Sequence, residues 1–306
     1  MSAAASPASP WSLRLRRLRH HRMGMFGLAL LTALILFTLA AGPTAHYLGT
    51  DPYNADLLSR YDPPSAAHPL GTDEAGRDEL VRLMLGGQTS LLVGALATVV
   101  GGLIGIAVGV AAGTLGGRLD GILMRVTDGV IALPLLPVLI VLGAVDLTKL
   151  GVPPDFAHSP AAAFWRIVII IALVDWTPMA RVVRAASLAL RDRDFVRAAQ
   201  ASGARTPYLI AAHILPNIAT PLIVSATLTV GRVILFESVL SFLGFGIVPP
   251  IPSWGNMLNN AQELITEAPL LAILPGALIF LTVIAVNLLG DGLQAAFDPR
   301  SQDTPG

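Results

Sequence analysis

The sequence predicts an all-α integral membrane protein with six transmembrane helices, both termini cytoplasmic, and a short helical segment on the cytoplasmic side between the fourth and fifth spans. Two observations carry this. Of 306 residues, 54% are hydrophobic and only 13% charged, about half the charge an ordinary water-facing domain carries. The apolar residues also gather into runs of about 20, the length that crosses a hydrocarbon layer as a helix. Balanced charge, 20 Lys+Arg against 20 Asp+Glu, excludes a basic nucleic-acid surface. With no cysteine, disulfides, thiolate metal sites and Cys nucleophiles are excluded too.

The expected spans are Met23–Gly42, Ser90–Gly113, Ile122–Val145, Ala163–Arg184, Thr220–Gly246 and Leu270–Leu289. Arg14, Arg16, Arg17, Arg19 and Arg22 precede the first, which resembles a signal peptide in layout. Its apolar run is longer than a cleaved segment needs, so a retained span is expected. Basic residues near span ends stay cytoplasmic. That places the N-terminal arginines, Arg118 and the basic stretch Arg181–Arg205 inside, and the acidic stretch His46–Gly87 outside. The resulting division is a basic tail over 1–22, a first helix over 23–45, an outer loop with an interfacial segment over 46–87, a five-helix core over 88–294 and a C-terminal tail over 295–306.

Within the second span Gly101, Gly105, Gly109 and Gly113 recur every four residues, and Gly117 continues the row. Such glycines share a helix face and let another backbone approach closely; packing within the chain and packing against a second subunit both fit. Charges inside spans are costly and mark pathways or pairs. Asp128 has Arg125 three residues away on its own helix face. Asp175 and Arg232 fall at similar depths in the fourth and fifth spans, which suggests a cross-helix ion pair. Arg166 and Glu237 match in the same way nearer the outer surface. Outside, Asp78–Leu85 reads as a short amphipathic segment lying at the outer interface, closed by Gly86-Gly87. Pro249–Glu267, with Trp254, reads as a second interfacial element, since Trp favours the headgroup level.

The cytoplasmic stretch 191–217 carries the densest local signals. Asp192 or Asp194 can cap or complement a helix over Phe195–Ser202, and Gly203 suits a left-handed helix end. Thr206-Pro207 reads as a capping hydroxyl followed by Pro at the first helical position. Pro216 marks a break before the fifth span.

Arg197-Ala198-Ala199, Gly203 and His213-Ile214-Leu215-Pro216 resemble the EAA motif of ABC-importer permease subunits. Further stretches resemble the C-type subunit of the dipeptide/oligopeptide/nickel permease family. They are His68-Pro69-Leu70-Gly71-Thr72-Asp73 with Gly76-Arg77-Asp78, Ala180-Arg181 with Arg184, Leu240–Gly246, Pro252-Ser253-Trp254-Gly255, and Asn287–Leu293 with Asp298-Pro299-Arg300. The resemblance runs in register from about His68 to Arg300. It implies a coupling helix that docks into a groove of a separate ATPase, formed by Asp194, Phe195, Val196, Arg197, Ala198, Ala199, Gly203, Ala204, His213, Leu215 and Pro216. It also implies a homologous second permease chain, two cytoplasmic ATPases that bind ATP and Mg, an extracytoplasmic binding protein, and a bacterial or archaeal cell membrane. Peptides lead as cargo, with nickel complexes and oligosaccharides behind. Where the family usually has Glu before the two alanines, this chain has Arg197, which implies an acidic or neutral patch on the ATPase.

The chain itself is expected to bind no cofactor. A phosphate-binding loop needs Gly-Lys-Ser/Thr, and the sole lysine, Lys149, follows Thr148. An ion-coupled secondary transporter would need two halves with corresponding interrupted helices, and these are not evident. An intramembrane enzyme lacks support, since there is no His-Glu-x-x-His pattern and His20, His21, His46, His68, His158 and His213 do not cluster.

Overall fold

The computed structural model describes residues 16–259, 261, 265–266 and 268–297. Among these the structure is helical, and the only β pairing is an isolated bridge between Thr72 and Asp78. Helix α1 spans Arg22–Leu39 and α2 spans Ala41–Leu48. Helix α3, Glu79–Leu115, runs 37 residues. Asp78 starts it, its Oδ1 accepting from Val81 N at 2.8 Å, the N-cap role that a short acidic side chain fills well. The expected stop at Gly86-Gly87 is absent, because both glycines lie inside α3 against other parts of the chain. A Cβ on Gly87 would fall 2.6 Å from the Trp254 ring, and one on Gly86 would fall 3.2 Å from Met257 Sδ. Glycine here permits close approach instead of ending the helix.

The third expected span is two helices, α4 (Gly117–Ala132) and α5 (Leu135–Gly143), bent by 85°. Pro134 explains the corner: it drives the preceding residue out of the α region, and Leu133 is extended at φ −75°, ψ 139°. The fourth expected span also has a joint. Helix α6 (Pro160–Asp175) meets α7 (Thr177–Arg191) at Trp176, where Pro178 lacks the N–H that would continue the ladder. A short helix α8, Asp194–Ala201, follows. Thr206–Tyr208 and a π-helical stretch Leu209–Ile214 then lead without interruption into α9, Leu215–Phe242, and α10 covers Pro269–Phe297.

Four helical stretches are individually long and apolar enough to cross a membrane: Arg22–Leu39, Glu79–Leu115, Thr206–Phe242 and Pro269–Phe297. The bent α4–α5 pair makes a fifth if counted as one span. Helices α6 and α7, with 16 and 15 residues, reach spanning length only together, so the fourth expected span, and with it a total of six, depends on counting across the Trp176 joint.

Helix α3 is the central post, packing on α1, α6, α7 and α9, while α10 packs on α1 and α9. The glycine row faces α7 of the same chain. Cβ atoms would fall 2.7 Å from Met179 Cβ at Gly105, 2.6 Å from Val183 Cβ at Gly109 and 2.6 Å from Ser187 Cβ at Gly113. Gly101 lies against Ala172, whereas Gly117 meets nothing and leaves the row. One apolar cluster joins Val93, Leu139, Ile167, Ile171, Val233 and Leu240; a second joins Val110, Met179, Val183, Ile214 and Ile218. Large apolar side chains such as Leu36, Leu103 and Phe280 are exposed on the outside, as a lipid-facing surface requires.

Candidate functional site

Three regions carry chemistry. The first is the elbow between α7 and α9. Arg193 precedes α8 as its N-cap without a side-chain cap bond, and Asp194 lies in the first turn, where a carboxylate complements the helix dipole. Asp192 instead pairs with Arg197 across 3.4 Å, both side chains exposed. At the far end Gly203 is left-handed at φ 85°. Gly203 N donates to Gln200 O at 2.9 Å and Ala204 N to Ala199 O at 3.0 Å, closing the helix as a left-handed glycine does. Val196 is buried and pins α8 to the body, while Phe195, Arg197 and Ala198 are exposed. His213 sits under the elbow, its ring 6.0 Å from Phe195 and 5.7 Å from Tyr208.

Two local expectations are corrected here. Thr206 is the first helical residue and makes no cap bond; Arg205 occupies the cap position. Pro216 does not break the helix. It falls in the first turn of α9, directly after the π-helical stretch that contains His213, and the wider i→i+5 turn accommodates a residue without an N–H. Leu215 opens α9 beside it.

The second region is a set of acid–arginine pairs joining neighbouring helices. Asp120 of α4 takes both forks of Arg184 of α7, Nη2 donating to Oδ2 at 2.7 Å. Asp128 of α4 accepts from Arg181 Nη2 at 2.6 Å; its partner is therefore across the helix pair and not Arg125 on its own helix. Asp175, at the end of α6, lies 2.9 Å from Arg232 Nε of α9, and Arg232 Nη2 donates to its Oδ2 at 3.1 Å. Beside this last pair a cavity of about 170 Å³ opens at the α4–α5 corner, lined by Ile131, Leu133, Asp175, Thr177 and Arg232 among others.

The third region is a closed knot at the opposite end of α9. Glu237 is wholly buried and is not paired with Arg166, whose Nε is buried without a hydrogen-bond partner among the described residues. Three hydroxyls replace the cation: Ser241 Oγ donates to Glu237 at 2.7 Å, Ser90 Oγ at 2.9 Å and Ser238 Oγ at 3.4 Å. These serines in turn hold the following loop, Ser90 Oγ accepting from Trp254 N at 3.2 Å and Ser241 Oγ from Ile247 N at 2.9 Å. Asn256 clamps the same loop, its Nδ2 donating to Ile251 O at 2.8 Å and Ile247 O at 3.1 Å. Trp254 is fully buried and its Nε1 donates to Leu83 O at 2.9 Å. It is a core residue here, not a headgroup anchor; the rest of the element expected to reach Glu267 lies partly outside the described residues.

The acidic stretch before α3 forms a second tie. Asp73 Oδ1 accepts from Ala75 N and Arg77 N, while its Oδ2 meets Arg77 Nη2 at 2.8 Å and Arg82 Nε at 3.0 Å. Asp78 Oδ2 lies 3.0 Å from His68 Nδ1. Gly71 and Gly76, both left-handed, shape the turns between. The alternation of Gly and Asp along this stretch is the local sign of a hydrogen-bonded turn. Ser90 and Asn256 carried no sign at all.

With this geometry described, similarity to known proteins is informative. The family model of the binding-protein-dependent transport system inner membrane component matches residues 105–303, and that of the N-terminal transmembrane domain of oligopeptide transport permease C matches residues 9–64. A Brucella suis biovar 1 protein named as a peptide permease is 40% identical over 300 residues, covering 97% of this chain and 94% of the relative. The oligopeptide transport system permease protein of Bacillus subtilis is 35% identical over 292 residues, covering 95% and 90%. The dipeptide transport system permease protein of Alkalihalophilus pseudofirmus is 35% identical over 294 residues, with the same coverage. An all-helical chain of apolar spans, similar along almost its whole length to permease proteins, belongs to the family of inner-membrane components of binding-protein-dependent transport systems.

Proposed function

We propose that this chain is the permease subunit of an ATP-driven importer of di- and oligopeptides. It crosses the membrane six times with both termini cytoplasmic. A homologous permease completes the pathway, an extracytoplasmic binding protein delivers the cargo, and two cytoplasmic ATPases supply the motion. The observation that carries this reading is the elbow. Val196 anchors α8 inside while Phe195, Arg197 and Ala198 stand outside, as a lever gripped from outside needs. The names of the relatives, all peptide permeases, support peptides as cargo.

Force on α8 has a direct route into the bundle. The elbow packs on the π-helical stretch, which continues into α9, and α9 carries Arg232 and Glu237. ATP and Mg bind on the partner ATPases. Closure of that pair moves the elbow, and α9 transmits the displacement to the pathway; hydrolysis resets it. A two-state element biased by nucleotide is what such coupling requires.

The test uses the full transporter in proteoliposomes. Ala198→Trp combined with Gly203→Val should abolish peptide uptake driven by ATP while the chain remains inserted and assembled with the second permease. Unchanged uptake in that variant would remove the lever assignment. Uptake by the wild-type chain without any ATPase would remove the importer reading altogether.

A further inference from the structure

The outer surfaces of the bundle differ sharply in character. Leu36 on α1, Leu103 on α3 and Phe280 on α10 are each more than 60% exposed, as lipid contact demands. On another face three acid–arginine pairs climb in sequence. In α7 the spacing Thr177, Arg181, Arg184 keeps one helix face, as does Asp120, Asp128, Ile131 in α4. The Asp175–Arg232 pair continues that line, because it shares a cavity with Ile131 and Thr177. Asp175 lies nine residues from Arg184, the cytoplasmic end expected for its span, about 14 Å of helix rise and close to the middle of a hydrocarbon layer about 30 Å thick. Yet Arg232 is 39% exposed, and Arg181 and Asp128 are 50% and 57% exposed. Charges at that depth are not left facing lipid; they face protein or a water-filled cavity.

We propose that this face is the hydrated wall of the translocation path, and that its pairing of every acid with an arginine lets the path pass peptides regardless of their net charge. The inference rests on the importer reading above. Its physical logic is that a pathway must admit cargo without trapping it. An unpaired arginine would retain acidic peptides, and an unpaired aspartate would retain basic ones. Paired, they present donors and acceptors to a polar peptide backbone with little net field. Arg232 can still share its fork: the contacts to Asp175 use Nε and Nη2, and a guanidinium has five donors.

The test uses the assembled transporter in proteoliposomes, with initial uptake of Ala-Lys-Ala and Ala-Glu-Ala expressed as a ratio. The binding protein is unchanged throughout, so its preference cancels between variants. Asp175→Asn should shift the lysine-to-glutamate ratio about tenfold from wild type, and Arg232→Gln about tenfold in the opposite direction. The double variant should return to the wild-type ratio. A pair that only holds helices together would depress both peptides alike, and an unchanged ratio in both single variants overturns the proposal.

Because the chain lacks cysteine, Ile131→Cys gives a second measurement that leaves the pairs intact. Cationic and anionic membrane-impermeant thiol reagents should label it at similar rates, after division by their rates with a small free thiol. Phe280→Cys should resist both. No labelling at Ile131→Cys, or labelling by one charge only, also overturns the proposal. If wild type takes up no peptide with ATPases and binding protein present, the importer reading fails, while the labelling still tests the wall separately.

Discussion

Glu237 and Asp175 are both buried carboxylates in the helical bundle, yet the structure treats them oppositely. Glu237 has hydroxyl partners from Ser90, Ser238 and Ser241, and the Ser90 and Ser241 hydroxyls also tether the loop that carries Trp254. Asp175 has a cation that is itself partly exposed and opens onto a cavity. The first arrangement is closed: the Ser90 and Ser241 hydroxyls each donate to the carboxylate and accept from the loop, and that loop carries a fully buried tryptophan. The second is open, with charge presented to whatever fills the space. A carboxylate in a closed hydroxyl cage stabilises one packing of loop on helix; a carboxylate in an open ion pair remains available to a passing solute.

The sharpest way to break that contrast is to unseal the closed end. Trp254→Ala removes a wholly buried ring, a change that costs about 3–5 kcal/mol. Thermal unfolding of the detergent-purified transporter should show the loss; a midpoint equal to wild type would mean that the loop is not a structural lock. Glu237→Ala should come next, at about 1–3 kcal/mol, because it strands donors that have no water to turn to. Glu237→Gln should cost less, since the amide oxygen still accepts. Equal losses for the two would show that charge, not acceptor geometry, matters in the cage.

Smaller effects are expected at the elbow. Gly203 has open space around its Cβ position, so Gly203→Ala is penalised only by the left-handed conformation, by about 1–2 kcal/mol. Hydrogen exchange of the α8 amides should rise, with the outer knot unaffected. Arg197→Glu should leave stability within about 1 kcal/mol of wild type, because its pair with Asp192 is exposed. Its consequence should be read in ATPase co-purification, where retained binding would discard the acidic or neutral patch inferred for the partner.

Much of the elbow was legible in the sequence because its signals are local. Gly203 lies in the left-handed region, as its place after a helical run implies. The end of the bundle around Trp254 was misread where long-range packing overruled local preference. Gly86-Gly87 punctuates a helix in isolation, but here it clears room for Trp254 and Thr38. Trp254 favours headgroups in isolation, but here its N–H finds Leu83 O inside the protein. At the elbow one local sign also misled: Pro216 stops a helix in isolation, but the π-helical turn before it carries the axis onward.

The sequence alone determined the apolar runs, the left-handed helix end at Gly203 and the family, for these depend on composition and on residues close together in the chain. Only the tertiary structure decided that Asp128 takes Arg181 and not Arg125, that Glu237 takes serines and not Arg166, and that the glycine row meets α7. Those choices depend on how far each helix is rotated and shifted against its neighbour. Helix–helix register is set by packing summed over the whole bundle, a quantity that no single stretch of sequence contains.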